Sequence, residues 1–159
     1  MEVRIRMTTS LPLIVVSYSH KDLERVTPYL DLLRETYSVW YDDNIYEGTP
    51  DWWKAILEQI DRCTIFLPVI SANYLQSIYC MAELDYAVQW KKAVFPLIID
   101  SSEAPDNLST VQSYRVKPNE SVETFRKRGL TAVKNLLDFE RRGFLIRQNR
   151  FPLTLHCRK

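Results

Sequence analysis

Short apolar runs alternate along the chain with longer stretches in which apolar residues recur every three or four positions. Leu11–Ser17 is continuously apolar, which is typical of a strand buried on both faces. Asp22–Thr36 carries its apolar residues at helical spacing, and Asp22 is placed to cap that helix. The alternation then continues along most of the chain. It predicts strands at Ser38–Tyr41, Thr64–Ile70, Ala93–Ile99 and Tyr114–Val116. It also predicts three helices: one whose inner face carries Trp52, Ile56 and Ile60, one from Leu75 to about Trp90, and one at Val122–Leu137.

Alternating strands and helices of this kind fold into a parallel sheet covered by helices on both faces. Ligands of such sheets bind outside the carboxyl ends of the strands, where the strand order reverses. Polar residues follow three of the predicted strands directly: Tyr18-Ser19-His20, Asp42-Asp43 and Ser71. The pattern therefore predicts an open α/β domain with a polar crevice at one edge of its sheet.

One acidic residue, Glu83, is unusually placed in the helix predicted after Leu75. Its neighbours three and four positions away are Tyr79, Cys80, Tyr86 and Ala87, and none of them can pair with a carboxylate. The commoner explanation is that a helical Glu lies at the solvated edge of an amphipathic helix. The alternative is a carboxylate kept in a pocket for a function.

Composition and charge restrict the partners that we expect. The 159 residues are the length of one domain, with 46% hydrophobic and 26% charged residues. A net charge of +1 gives no overall attraction to nucleic acid or to an anionic membrane. No apolar run reaches the roughly 20 residues of a membrane span, and the N-terminus lacks a signal-cleavage pattern. We expect a cytoplasmic protein that binds neither nucleic acid nor membranes.

The cysteines, histidines and glycines predict no metal or cofactor site. Cys63, Cys80 and Cys157 are odd in number and form no CxxC pair, which favours reduced thiols. His20 and His156 share no ligand spacing with them, so a zinc site is not expected. The three glycines form neither of the common phosphate-binding loops.

Four segments, in order, resemble the Toll/interleukin-1 receptor (TIR) domain in its bacterial form. Together they cover about Leu11 to Leu137, and the twelve-residue step from Ser71 to Glu83 is that of the family motif. Tyr79 replaces the tryptophan of that motif, and the loop between Gly48 and Trp52 is one residue longer than usual. The segments are VVSYSHKD (Val15–Asp22), VWYDDNIYEG (Val39–Gly48), the helix Trp52-x-x-x-Ile56-x-x-x-Ile60-x-x-Cys63, and SANYLQSIYCMAEL (Ser71–Leu84).

The resemblance implies a flavodoxin-like three-layer sandwich with a five-stranded parallel sheet in the order 2-1-3-4-5. It divides the chain into an N-terminal extension (1–10), a TIR domain (11–138) and a basic tail or linker (139–159). A response-regulator receiver has a similar topology. Its first strand, however, ends in paired acids, whereas this one ends in Ser17-Tyr18-Ser19.

TIR domains fall into two functional classes. Some are scaffolds that assemble through TIR–TIR contacts, and others cleave NAD+ between nicotinamide and ribose with a catalytic glutamate at the position of Glu83. The resemblance therefore implies an NAD+ glycohydrolase or cyclase of bacterial defence signalling, with NAD+ as substrate and no cofactor. A single carboxylate suffices, because nicotinamide departs neutral and needs no acid, while the carboxylate stabilises the positive ribose.

The resemblance also implies further substrate-binding residues, each with a structural alternative. Two aromatic residues stack on nicotinamide or adenine or fill the core, two serines bind substrate or cap local structure, and two acids hold a ribose diol or brace a loop. These residues are Tyr18, Tyr79, Ser19, Ser71, Asp42 and Asp43.

Self-association is implied through the loop Asn44–Asp51, which presents Ile45 and Tyr46 beside Gly48. We expect a mostly monomeric and weakly active domain that is activated by crowding or by a fused oligomerising domain, because this loop would close only against a partner.

Overall fold

The computed structural model describes residues 11–43 and 50–149, which form a parallel sheet with helices on both faces. The predicted flavodoxin-like α/β fold is confirmed. The strands are β1 (Leu13–Ser17), β2 (Ser38–Trp40), β3 (Ile65–Ile70), β4 (Ala93–Val94), β5 (Leu97–Ile98) and β6 (Tyr114–Arg115). The helices are α1 (Leu23–Arg34), α2 (Pro50–Arg62), α3 (Ala72–Gln76), α4 (Ile78–Gln89) and α5 (Val122–Asn149).

The strands lie in the order β2-β1-β3-β5-β6, with β4 also beside β3. The single fourth strand predicted at Ala93–Ile99 is therefore two short strands in one position of the sheet. Their register against β3 is continuous and places Pro68 opposite Pro96. Pro68 has no N–H to donate towards β4 and β5, so the hydrogen-bond ladder is interrupted there, whereas the backbone of Pro96 faces β6 and its carbonyl oxygen accepts the N–H of Tyr114.

Two apolar cores, one on each face of the sheet, follow from the two-residue period of the strands. In β1, Ile14 and Val16 belong to the core beneath α1 and α5, whereas Val15 belongs to the core beneath α2 and α4. In β3, Leu67 and Phe66 divide in the same way. Both faces are apolar, which is why these strands are continuous apolar runs in the sequence.

Two helices differ from their predicted bounds. The helix expected from Leu75 is interrupted at Ser77, whose extended backbone separates α3 from α4 and whose Oγ accepts the N–H of Cys80 at 3.2 Å. α5 continues past Leu137 to Asn149. No helix within residues 11–43 and 50–149 combines the length and the apolarity needed to cross a membrane.

Candidate functional site

A cavity of about 430 Å³ lies at the carboxyl edge of the sheet, between the segment after β1, the end of β2 and helices α2, α3 and α4. This is the edge at which the sequence predicts a polar crevice. The side chains that line it are Val16, Ser17, Tyr18, Ser19, His20, Lys21, Asp42, Trp52, Asn73, Gln76, Ser77, Ile78, Tyr79, Cys80 and Glu83.

Glu83 projects from α4 into this cavity and is only 9% exposed. Burial raises the pKa of Glu83 from 4.5 to about 7. A hydrogen bond from Ser17 opposes the rise, and the nearby negative charge of Asp42 adds to it. No Lys, Arg or His in the described parts of the chain forms an ion pair with Glu83. Within the described residues, the carboxylate is thus desolvated and makes no ion pair that would neutralise it.

Two buried hydroxyl groups lie behind Glu83. Ser17, at the end of β1, has its Oγ 3.1 Å from the Oη of Tyr74, a side chain of α3 that is completely buried. The Tyr74 hydroxyl is also 3.1 Å from the carbonyl oxygen of Cys80, to which it donates. Burial raises the pKa of Tyr74 well above 10, so the phenol stays protonated. These contacts connect β1, α3 and α4 beneath the cavity.

Asp22 occupies the N-cap position of α1, as predicted, but its side chain makes no capping hydrogen bond. The carboxylate is 2% exposed and instead accepts from Ser71 Oγ at 2.5 Å and from Asn73 Nδ2 at 2.9 Å. Ser71 also caps α3, accepting the N–H of Tyr74 at 3.0 Å. Asp22 and Ser71 therefore attach the start of α3 to the loop after β1, which positions Asn73 on the cavity wall.

Aromatic side chains form the wall of the cavity on the α2 side. Tyr79 is 46% exposed and packs edge-on against Trp52, with ring centroids 5.0 Å apart. Trp52 donates its Nε1–H to a carboxylate oxygen of Asp42 at 2.9 Å. The tryptophan thus belongs to the core and the cavity at once, and it orients the acid that follows β2.

The segment after β1 provides a second aromatic pair. The ring of Tyr18 stacks on the imidazole of His20, with centroids 5.5 Å apart. Burial, followed by the negative charges of Tyr41 and of the acids after β2, raises the pKa of Tyr18 to about 12. Tyr18 therefore keeps its proton and can act as a hydrogen-bond donor at neutral pH.

The structure brings five of the seven predicted site residues together at the cavity. The two that do not line it are Ser71, which is buried against Asp22, and Asp43, which is exposed. The loop predicted to mediate assembly lies, from Asn44 to Thr49, outside the described residues. The five residues that line the cavity are Tyr18, Ser19, Asp42, Tyr79 and Glu83.

Sequence reasoning missed Ser17 and Tyr74, which contact across 57 positions of the chain. A weak signal was present, since both occur in segments that resemble the family motifs. Among the described residues, no group of three or more His, Cys, Asp or Glu side chains could hold a metal ion.

Comparison with known proteins identifies the family. The family model described as "TIR domain" matches residues 14–128, which is most of the chain. None of the curated proteins matches the sequence significantly.

Solved structures with similar folds include enzymes as well as a receptor domain. The TIR domain of the Toll-related receptor TRR-2 from Hydra magnipapillata is similar with a TM-score of 0.59 and 19% identity, over 77% of this chain and 96% of that one. The CMP N-glycosidase BcmB of Clostridium botulinum has a TM-score of 0.53 and 17% identity, over 74% and 98%. A 2-deoxyribosyltransferase from Bacillus psychrosaccharolyticus has a TM-score of 0.54 and 17% identity, over 70% of this chain and 94% of that one. At these identities the likeness concerns the fold alone.

Proposed function

The chain belongs to the TIR domain family, and we propose that it is one of the members that cleave NAD+ between nicotinamide and ribose. The products are nicotinamide and ADP-ribose or a cyclic isomer of it, and the setting is defence signalling in a bacterial cytoplasm. The observation that carries the proposal is Glu83, a desolvated carboxylate in the cavity at the carboxyl edge of the sheet.

The environment of Glu83 supports a function because it works against stability. A carboxylate without a cation loses hydration on burial, and a pKa of about 7 shows that the folded protein disfavours its charge. A Glu whose only role was to keep a helix edge soluble would be exposed. Strongly shifted carboxyl groups in clefts are characteristic of functional sites.

The reaction needs only the ionised form of this carboxylate. When the bond from ribose C1′ to the nicotinamide nitrogen breaks, its electron pair moves to the pyridinium ring, which departs neutral. Positive charge develops on the ribose, and the Glu83 carboxylate stabilises that charge. Water then attacks C1′ and releases a proton, giving ADP-ribose. Attack by the adenine ring gives a cyclic product instead.

Substrate binding favours the active ionisation state of Glu83. An opposite charge close to a carboxylate lowers its pKa, and oxidised nicotinamide carries a positive ring. The bound substrate therefore offsets part of the rise that burial causes. Without substrate, a pKa of about 7 leaves the carboxyl group about half protonated at neutral pH.

Other cavity residues have roles that match the parts of a dinucleotide. Tyr79 offers a partly exposed ring for stacking on a base or on nicotinamide. Asp42, oriented by Trp52, is placed to accept from a ribose diol. Lys21 lines the same cavity and provides positive charge for the diphosphate. Tyr18 and Ser19 contribute hydroxyl groups from the segment after β1.

The test is to incubate the purified protein with NAD+, with NADH and with CMP, and to separate the products by chromatography. We expect nicotinamide to be released from NAD+ alone. NADH should survive because its dihydropyridine ring is not a cation and is a poor leaving group. CMP should survive for the same reason, since its cytosine carries no positive charge before the bond breaks. Cleavage of CMP but not of NAD+ would replace the proposed substrate. Inertness towards all three would contradict the proposed activity.

Assembly through TIR–TIR contacts is a second function that one observation favours. Ile78 is 82% exposed at the start of α4, beside the partly exposed Tyr79, so two large apolar side chains lie at the cavity mouth. We propose that a second TIR domain covers this region together with the loop that contains Tyr46. Specific activity should then rise with protein concentration, and Tyr46→Ala should reduce the rise. Activity per molecule that stays constant across a roughly hundredfold dilution would contradict assembly-dependent activity.

A further inference from the structure

Asn73, on α3, has an amide group whose two ends face different surroundings. Its Nδ2 donates to Oδ1 of Asp22 at 2.9 Å. Asp22 is 2% exposed and does not line the cavity, whereas Asn73 is half-buried and does line it. The nitrogen of the amide therefore points behind the cavity wall, and the rest of the amide group faces the cavity.

The surroundings of Asp22 determine which end of the Asn73 amide faces the cavity. A carboxylate can only accept hydrogen bonds, and the guanidinium of Arg25 lies 3.8 Å from this one. The other carboxylate oxygen accepts from Ser71 Oγ at 2.5 Å. An amide turned over would bring its own oxygen against the carboxylate, and two acceptors repel each other. The Asn73 side chain is thus held with its nitrogen towards Asp22 and its oxygen away from it.

The amide oxygen of Asn73 accepts no hydrogen bond from the part of the chain that the structure describes. In that same part, no buried side-chain nitrogen or oxygen lacks a hydrogen-bond partner. Oδ1 of Asn73 is therefore accessible, and a donor that enters the cavity can bond to it. A few fixed polar groups of this kind orient the ligand in most small-molecule pockets.

The size of the cavity restricts which donors of NAD+ can meet this oxygen. About 430 Å³ is at the small end of ligand pockets and suits the nicotinamide riboside half rather than the whole dinucleotide. That half contains the bond at which Glu83 acts. Its hydrogen-bond donors are the ribose hydroxyl groups, for which Asp42 is placed on the other wall, and the carboxamide N–H groups of nicotinamide.

We propose that the Asn73 amide oxygen accepts a hydrogen bond from the carboxamide of nicotinamide and thereby selects dinucleotides that carry this group. The inference rests on the substrate of the proposed function and adds a specificity-determining residue to it. A site built to bond a donor rejects an analogue that lacks the donor, because the acceptor is then left unpaired.

The 3-acetylpyridine analogue of NAD+ isolates this one contact. It carries a methyl group in place of the carboxamide nitrogen, and it keeps both the carbonyl oxygen and the positive ring. The two dinucleotides therefore have the same charge and nearly the same shape, and they differ in the N–H donors that Asn73 is proposed to bind.

The experiment measures the dissociation constants of NAD+ and of the analogue by isothermal titration calorimetry, in a Glu83→Gln background that prevents turnover. We expect NAD+ to bind about tenfold more tightly than the analogue, near the upper limit for one neutral hydrogen bond. Adding Asn73→Ala should weaken NAD+ binding about tenfold and leave the analogue nearly unaffected, so that the preference disappears. Circular dichroism establishes that each variant is folded.

Asn107→Ala is the matched control. The amide of Asn107 also donates to an aspartate, Asp85, at 3.1 Å, but this asparagine does not line the cavity. The variant should keep the full preference for NAD+. An equal loss of affinity for both dinucleotides in Asn73→Ala would assign Asn73 to another group of the ligand and overturn the inference. A preference that survives Asn73→Ala would overturn it as well, and so would the absence of any binding.

Failure of this inference can be distinguished from failure of the proposed activity. If NAD+ binds with the expected preference but the protein with Glu83 intact releases no nicotinamide, the role of Asn73 is supported and the activity is contradicted. If Glu83-dependent cleavage occurs with equal kcat/KM for NAD+ and for the analogue, the activity is supported and the role of Asn73 is refuted.

Discussion

Replacing Glu83 with Gln should stabilise the protein at alkaline pH and much less at acidic pH. The pKa of Glu83 is about 7 in the folded protein and about 4.5 when the side chain is solvated. A group whose pKa is raised by folding is favourable while protonated, and this contribution is lost as the pH rises from 4.5 through 7. At about 1.4 kcal/mol per unit, the difference amounts to about 3 kcal/mol above pH 8. Glutamine has nearly the same shape and never carries that cost.

The measurement is urea-induced unfolding of both proteins at several pH values between 4.5 and 8.5. The free energy of unfolding of Glu83→Gln, minus that of the native protein, should grow by about 3 kcal/mol across this range, with most of the change above pH 5. Asp85→Asn is the control, because it removes an exposed carboxylate from the same helix. A difference between Glu83→Gln and the native protein that is the same at every pH would refute the view that Glu83 is buried without a compensating cation.

Two further predictions concern packing and thiol chemistry. Gly129→Ala should lower the free energy of unfolding by about 1 kcal/mol or more, although alanine favours helices, because its methyl group would overlap the fully buried ring of Phe125. Gly143→Ala, with open space around the new methyl group, should not destabilise, and equal urea midpoints for the two variants would contradict this reading. Burial raises the pKa of Cys63 to about 11 and of Cys80 to about 12, so iodoacetamide at pH 8 should modify both slowly in the native protein and rapidly in urea. Peptide mass spectrometry measures the labelling of each thiol, and rapid modification of either one in the native protein would contradict this prediction.

The sheet could be predicted from the sequence because its central strands are buried on both faces and are therefore continuous apolar runs. The division of the fourth strand could not. It depends on the register that places Pro68 opposite Pro96, and the sequence of either strand alone does not contain that register. The break between α3 and α4 at Ser77 was not predicted because the helical spacing of the apolar residues continues through it.

The candidate site shows the same limit. Glu83 could be singled out from its own helix, because its neighbours there offer no cation. The burial that raises its pKa, and the nearby Asp42 that adds to the rise, come from elements that only the fold brings together. Asp22 was correctly placed at the N-cap of α1, but the partner of its side chain, Ser71, could not be predicted because it lies 49 positions further along the chain. Local patterns therefore identified the carboxylate but not the groups that control it.

The central claim, that Glu83 carries out NAD+ cleavage, is tested most directly by the rate of nicotinamide release at pH 8 from three proteins at equal, high concentration. These are the native protein, Glu83→Gln and Asp85→Asn. We expect release by the native protein and by Asp85→Asn, and a loss of about a hundredfold or more in Glu83→Gln, the size of effect that removal of one transition-state electrostatic group produces. Circular dichroism establishes that all three are folded. Release by Glu83→Gln at the native rate would contradict the account.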